Sequence, residues 1–105
     1  GAVDREGQRF AQSNHGAWVE LYAPGVEVLS TVPGNAFAFG SGTSLAAAHV
    51  TGSLAVLTSI TGDAKRARSE LFRSLDARAA RTLPLLPKSC DVLRRLGKSC
   101  RPTSR

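Results

Sequence analysis

The stretch Gly42-Thr43-Ser44-Leu45-Ala46-Ala47-Ala48-His49-Val50-Thr51-Gly52 decides how this chain is read. It follows Gly40-Ser41, so the backbone bends in a glycine-rich turn just before the composition becomes almost wholly apolar. From Ser44 to about Ile60, residues such as Leu45, Val50, Leu54, Val56, Leu57 and Ile60 leave nearly no polar face. A helix that is apolar all round is expected to be buried or in a membrane. His49, Thr51, Ser53 and Thr58 interrupt the run, and its apolar part is shorter than the roughly 20 residues that span a bilayer. A central helix packed on a sheet is therefore expected, with no membrane span. A serine delivered by a glycine turn to a helix N-terminus sits among unpaired backbone N–H groups, at the positive end of the helix dipole. That place suits stabilisation of the oxyanion formed when a hydroxyl attacks a carbonyl. It equally suits a helix cap, the commonest job for serine at a helix start. The local residues alone leave both roles open.

Upstream, Trp18, Val19, Leu21 and Tyr22 read as a strand that enters the turn Ala23-Pro24-Gly25. Val26, Val28 and Leu29 suggest a second strand ending at Pro33-Gly34-Asn35, and Ala36-Phe37-Ala38-Phe39 its returning arm. The opening Gly1-Ala2-Val3-Asp4 reads as the end of a buried strand. Downstream, Asp63 is placed to cap a second helix running to about Arg81, with Ala64, Ala67, Leu71, Leu75 and Ala79 as its apolar stripe. Pro84 and Pro87 then break regularity, and Ser89 to Leu96 suggests a short helix closed by Gly97.

These patterns divide the 105 residues into three parts: 1–62, a second helix over 63–81, and a basic, flexible tail over 82–105. That length holds one small domain with a modest core. Charge follows the same division. Arg5 and Arg9 stand against Asp4, Glu6, Glu20 and Glu27 in the first part, a balance of −2. The rest of the chain holds 12 Lys and Arg against Asp63, Glu70, Asp76 and Asp91, a balance of +8. A basic tail raises nucleic acid as a partner, but only Phe72 lies among these cations as a stacking surface, so no nucleic acid is expected. A solvated helix face followed by a loose end accounts for the charge. Cys90 and Cys100 define no zinc site, and spacing leaves open a disulfide or two free thiols. The absence of methionine, even at position 1, leads us to expect a processed chain or a piece of a longer one with no leader left to read.

The Ser44 segment resembles the serine-containing motif of the subtilisin-like serine proteases (subtilases, peptidase family S8), Gly-Thr-Ser-x-Ala-x-Pro-His-Val-x-Gly. Of its eight specified positions, seven match: Gly42, Thr43, Ser44, Ala46, His49, Val50 and Gly52. Ala48 stands where the motif has proline. Alanine is the stronger helix former, so the helix is expected to survive the change. Gly1 to Asp4, Phe10 to Gly16, and Ala23-Pro24-Gly25 followed by Val28 to Pro33 also look like the family's sheet and turns in the same order. The resemblance covers residues 1–60 well, 63–81 only as a final amphipathic helix, and 82–105 not at all.

By this resemblance the fold is α/β, the C-terminal part of a three-layer catalytic domain. Its sheet would be largely parallel and its buried central helix would start at the nucleophile. The resemblance makes Ser44 the nucleophile of a Ser-His-Asp triad, hydrolysing peptide bonds through an acyl-enzyme. It gives the Ser44 N–H part of the oxyanion hole, with Gly42 and Thr43 beside substrate. The triad runs Asp, His, Ser along a subtilisin chain, and this sequence resembles only the stretch after the first two. His49 is the motif's own histidine, structural in the family, for which a packing role is expected. His15 lies in a polar Ser-Asn-His-Gly loop and is expected at the surface; Asp4 and Asp63 match no triad position. The chain alone is therefore expected to be inactive, and its strand edges prone to aggregation. Leu45 follows the nucleophile where many relatives carry methionine. Glu20 aligns with a position that in some relatives serves a weak cation site, but an exposed strand carboxylate suffices. No metal is assigned and no cofactor expected, although family members often bind structural calcium. A polypeptide is the implied substrate and a secreted or exported protein the implied setting. Two rivals differ in class. A non-catalytic peptide-binding scaffold would lack the His or Asp in the rest of the protein, and a basic interaction module would bind DNA with steep salt dependence.

Overall fold

The computed structural model describes residues 1–75 and 83–101. Along the chain run β1 (Ala2–Val3), β2 (Ala23–Pro24), β3 (Val28–Val32), β4 (Ala36–Gly40), α1 (Thr43–Thr61), α2 (Ala64–Arg73) and α3 (Ser89–Arg95). Strand and helix are mixed, as an α/β chain requires.

β1 and β2 pair in parallel, with Ala2 opposite Ala23 and Val3 opposite Pro24. Ala2, Ala23 and Ala46 of α1 form one buried cluster. Three methyl side chains let the helix lie close on the strands. The Ser13 hydroxyl, also buried, accepts the Ala2 N–H at 2.8 Å and donates to the Asn14 carbonyl at 2.8 Å, so it carries no unpaired polar atom into the core. The Gly1 ammonium donates to the Leu21 carbonyl at 2.9 Å, and partial burial lowers its pKa below the ordinary amino value. Trp18 is 77% exposed, and of the expected strand over 18–22 only Tyr22 forms a bridge, while β2 takes the first two residues of the expected turn Ala23-Pro24-Gly25. Tyr22 gains a partner that the sequence did not suggest. Its N–H donates to the Pro84 carbonyl at 2.8 Å, and its carbonyl accepts the Leu86 N–H at 2.6 Å. Residues 84–86 thus lie parallel beside Tyr22.

β3 and β4 form an antiparallel hairpin with Val32 opposite Ala36. Gly34 and Asn35 of its three-residue loop both take positive φ, 85° and 55°, which these two residue types tolerate best. The hairpin follows the strand–turn–strand pattern of the sequence. Its Leu29 and Phe39 are cross-strand neighbours, both largely exposed.

α1 begins where expected and ends at Gly62, whose αL conformation lets its N–H reach the Thr58 carbonyl at 2.8 Å. Two expectations are not confirmed within this chain. Within this chain α1 is not buried: only Ala46 and Leu57 along it are, and Val56 is half exposed. Nor do the described strands make a largely parallel sheet: they form one parallel and one antiparallel pair. The physical reason is a shortage of covering layers. β1–β2 and α2 shield one stripe of α1, and the apolar residues on its other sides meet solvent. α1 has 19 residues and is long and apolar enough, by length and composition alone, to cross a membrane. The expectation that the run was too short is corrected accordingly, although here the helix packs against α2 and the small sheet.

α2 is capped by Asp63, whose carboxylate accepts the Arg66 N–H at 2.7 Å. Ala67 and Leu71 of its expected stripe are buried with Leu57 and Val92. The helix is described to Arg73, with Ser74 as its C-cap, while the rest of the expected run, including Ala79, falls in 76–82 outside the described residues. In the basic tail, α3 forms as the sequence suggested and Gly97 follows it at φ 70°. Val92 is 2% exposed and Leu86 packs against both core clusters. Cys90 and Cys100 are joined in a disulfide.

Candidate active site

Ser44 occupies the second position of α1, and Gly42 is the N-cap. Gly42 has φ 155° and ψ 162°, a backbone conformation that L side chains rarely adopt. It carries no side-chain cap bond. Its carbonyl takes the first helical N–H groups, Leu45 at 3.2 Å and Ala46 at 3.4 Å. Serine therefore does not cap this helix. Its side chain is exposed and its N–H lies in the first turn, where helical geometry supplies no carbonyl partner. A hydroxyl, an unpaired N–H and the positive end of a 19-residue helix converge at this point. The arrangement suits attack on a carbonyl whose oxygen gathers negative charge.

Two neighbours hold the turn in place. The Gly42 N–H donates to the Gly25 carbonyl at 2.7 Å, and the Glu27 N–H donates to the Ser41 hydroxyl at 2.9 Å. Buried Ala46, two residues beyond Ser44, anchors the same helical turn on Ala2 and Ala23. Thr43 and Gly42 are half-buried beneath the exposed serine. Gly25 was not singled out as a site residue by sequence reasoning. Its signal was present in Ala23-Pro24-Gly25, but a turn glycine does not announce which loop it will touch.

The other titratable candidates are placed elsewhere. The His49 Nδ1–H donates to the Leu45 carbonyl at 3.0 Å, one turn back on its own helix, and the ring is exposed. Within this chain it fills no core. His15 is exposed in its loop, Nδ1 3.3 Å from the Ser13 carbonyl. Asp4 accepts the Glu6 and Gln8 N–H groups at 3.0 and 2.8 Å. Asp63 caps α2 at the far end of α1, which a rise of ~1.5 Å per residue puts well over 20 Å from Ser44. Among the described residues neither His15, His49, Asp4 nor Asp63 is hydrogen-bonded to the Ser44 hydroxyl. Glu20 pairs with Arg68 at 3.1 Å, and the Arg68 guanidinium also lies 4.5 Å from the Phe72 ring centre. Among the described residues no group of three His, Cys, Asp or Glu is placed to hold a metal ion.

Comparison with known proteins matches this site to a family. A sequence model described as the subtilase family matches residues 1–90, reaching past the motif into the basic segment. The chain is 49% identical over 59 residues to a thermophilic serine proteinase from Bacillus sp. (strain AK1), covering 56% of this chain and 15% of that protein. It is 40% identical over 85 residues to an intracellular serine protease from Paenibacillus polymyxa, covering 78% of this chain and 24% of that protein. It is 52% identical over 50 residues to subtilisin-like protease 10 from Arthroderma benhamiae, covering 48% of this chain and 10% of that protein. The chain thus spans a quarter or less of the length of these relatives. With a Gly-Thr-Ser turn opening α1 and a family match over most of its length, this chain belongs to the subtilase family.

Proposed function

We propose that the chain carries the nucleophile segment of a serine-type endopeptidase, in which Ser44 attacks a peptide carbonyl and forms an acyl-enzyme. The observation that carries this reading is the second-position placement of Ser44, exposed on a helix whose cap is Gly42. In this role the Ser44 N–H contributes to the oxyanion hole, and Gly42 and Thr43 flank the bound polypeptide. The Asp and His come from the rest of the protein. The 105-residue chain by itself is inactive, because serine without a base and its orienting carboxylate is a poor nucleophile.

In the complete domain the exposed apolar sides of α1 become buried, and the β1–β2 pair is part of a largely parallel sheet. The solvent-facing Val56 and half-buried Val50 and Leu54 support this, since a helix apolar on all sides is stable only when covered. α1 is then a core helix, and no membrane span is needed. The Cys90–Cys100 disulfide favours an oxidising, exported setting.

The test is a fluorophosphonate probe applied to the full-length protein, with the labelled peptide mapped by mass spectrometry. Covalent modification at Ser44, with peptide hydrolysis abolished in Ser44→Ala, is the expected result. A full-length protein that folds but neither labels nor cleaves would instead be a non-catalytic scaffold.

A further inference from the structure

We infer that Ser41 is a positioning residue for Ser44, acting through a two-bond clamp between the loop after β2 and the turn before α1. The inference rests on the endopeptidase reading above and names a residue that sets its rate. The β3–β4 ladder ends at the pair Val28 and Gly40. Beyond it the ladder adds no further strand pair, yet the two chain segments stay joined. The Ser41 hydroxyl accepts the Glu27 N–H at 2.9 Å, and the Gly42 N–H donates to the Gly25 carbonyl at 2.7 Å. A side chain thus supplies the ladder's next rung and a backbone bond the one after.

The geometry on both sides is costly, which argues that something holds it. Glu27 has φ 50°, in the left-handed region that non-glycine residues seldom enter. Its N–H is turned toward Ser41 in that conformation. Gly25 is buried where a Cβ would stand 2.6 Å from the Ala2 Cβ and 2.7 Å from the Gly42 oxygen, so the two loops touch backbone to backbone. Ser41 itself is exposed, and its hydroxyl is not needed to satisfy a buried core. Only Gly42 and Thr43 separate it from the nucleophile, at the point where the helix begins. Removing its oxygen frees one edge of that turn while leaving β1, β2 and the Ala46 contact intact. Nucleophile placement is sensitive at this scale, because a displacement near 1 Å costs about a hundredfold in rate.

The experiment compares Ser41→Thr, Ser41→Val and Ser41→Ala in the full-length protein, with kcat expressed per site titrated by fluorophosphonate. Threonine keeps the acceptor oxygen, and valine has the same shape without it. The expected result is a kcat about tenfold lower for Val and Ala, with KM within about twofold and Thr restoring wild-type kcat. Unchanged kcat per titrated site in Val and Ala overturns the inference, even if their melting temperatures fall, because the hydroxyl would then serve the fold alone. Equal loss in Thr and Val overturns it too. If the wild type itself fails to titrate, the endopeptidase reading fails first, which is a separate result.

Discussion

The Gly42 N–H donates to the Gly25 carbonyl at 2.7 Å, joining the turn that opens α1 to the turn that closes β2. Residues 17 positions apart in sequence thereby fix where the helix bearing Ser44 begins. Neither has a side chain, and both need that lack: Gly42 for its φ of 155°, Gly25 for the close approach of Ala2 and Gly42.

Gly25→Ala is expected to destabilise the chain by about 1–3 kcal/mol, the usual cost of forcing extra volume into a packed site. Urea unfolding of the variant against wild type measures it. Hydrogen exchange should show the Gly42 amide losing protection first. An unchanged midpoint would mean that the loops separate freely.

Asp63→Ala should cost about 1 kcal/mol, because it removes the acceptor 2.7 Å from the Arg66 N–H at the start of α2. Asp63→Asn or Asp63→Ser should recover most of that loss. Thermal melts followed by circular dichroism distinguish the three, and equal melting of Ala and Asn would rule the cap out as the cause.

Reduction of the Cys90–Cys100 disulfide should lower stability by about 2–3 kcal/mol, the loop-entropy value for a closed loop of this size. The loss should be concentrated in α3, whose Val92 is 2% exposed against Leu57 and Leu71. Exchange protection of the Leu86 amide, bonded to Tyr22, reports whether the adjoining segment loosens as well.

An active full-length protein should retain most of its activity in peroxide. Leu45 follows the nucleophile, and a leucine side chain has no sulfur to oxidise to a sulfoxide. Incubation with hydrogen peroxide followed by peptide hydrolysis checks this, and rapid inactivation would count against Leu45 as a source of resistance.

The 105-residue chain, purified alone, should self-associate as its concentration rises. Phe37 and Phe39 are 70% and 65% exposed on a two-stranded hairpin, and such a hairpin with an uncovered apolar face is marginal in water. Light scattering across a concentration series is the measurement. A stable monomer at high concentration would show that the hairpin needs no cover.

Local signals were legible where the chemistry is local. Asp63 before an apolar stripe of helical spacing marked the start of α2, and Pro33-Gly34-Asn35 marked the hairpin loop. The glycine-rich turn at 40–42 marked where α1 begins, because a tight turn is written in the residues that must adopt it. The strand over 18–22 was overestimated for the opposite reason. Trp18, Val19 and Leu21 have strand propensity, but propensity counts only where a neighbouring strand arrives, and here one reaches no earlier than Tyr22.

The sequence by itself determined the family motif around Ser44, the order of strands and helices, the cap of α2, and the basic character of the second part. Each depends on residues within a few positions of one another. Only the tertiary structure decided that Gly42 and not Ser44 caps α1, that residues 84–86 lie beside Tyr22, and that Cys90 pairs with Cys100. It also decided that α1 faces solvent along most of its length in this chain. Burial and pairing are relations between distant segments. An apolar helix records that it needs covering, but the cover must come from elsewhere.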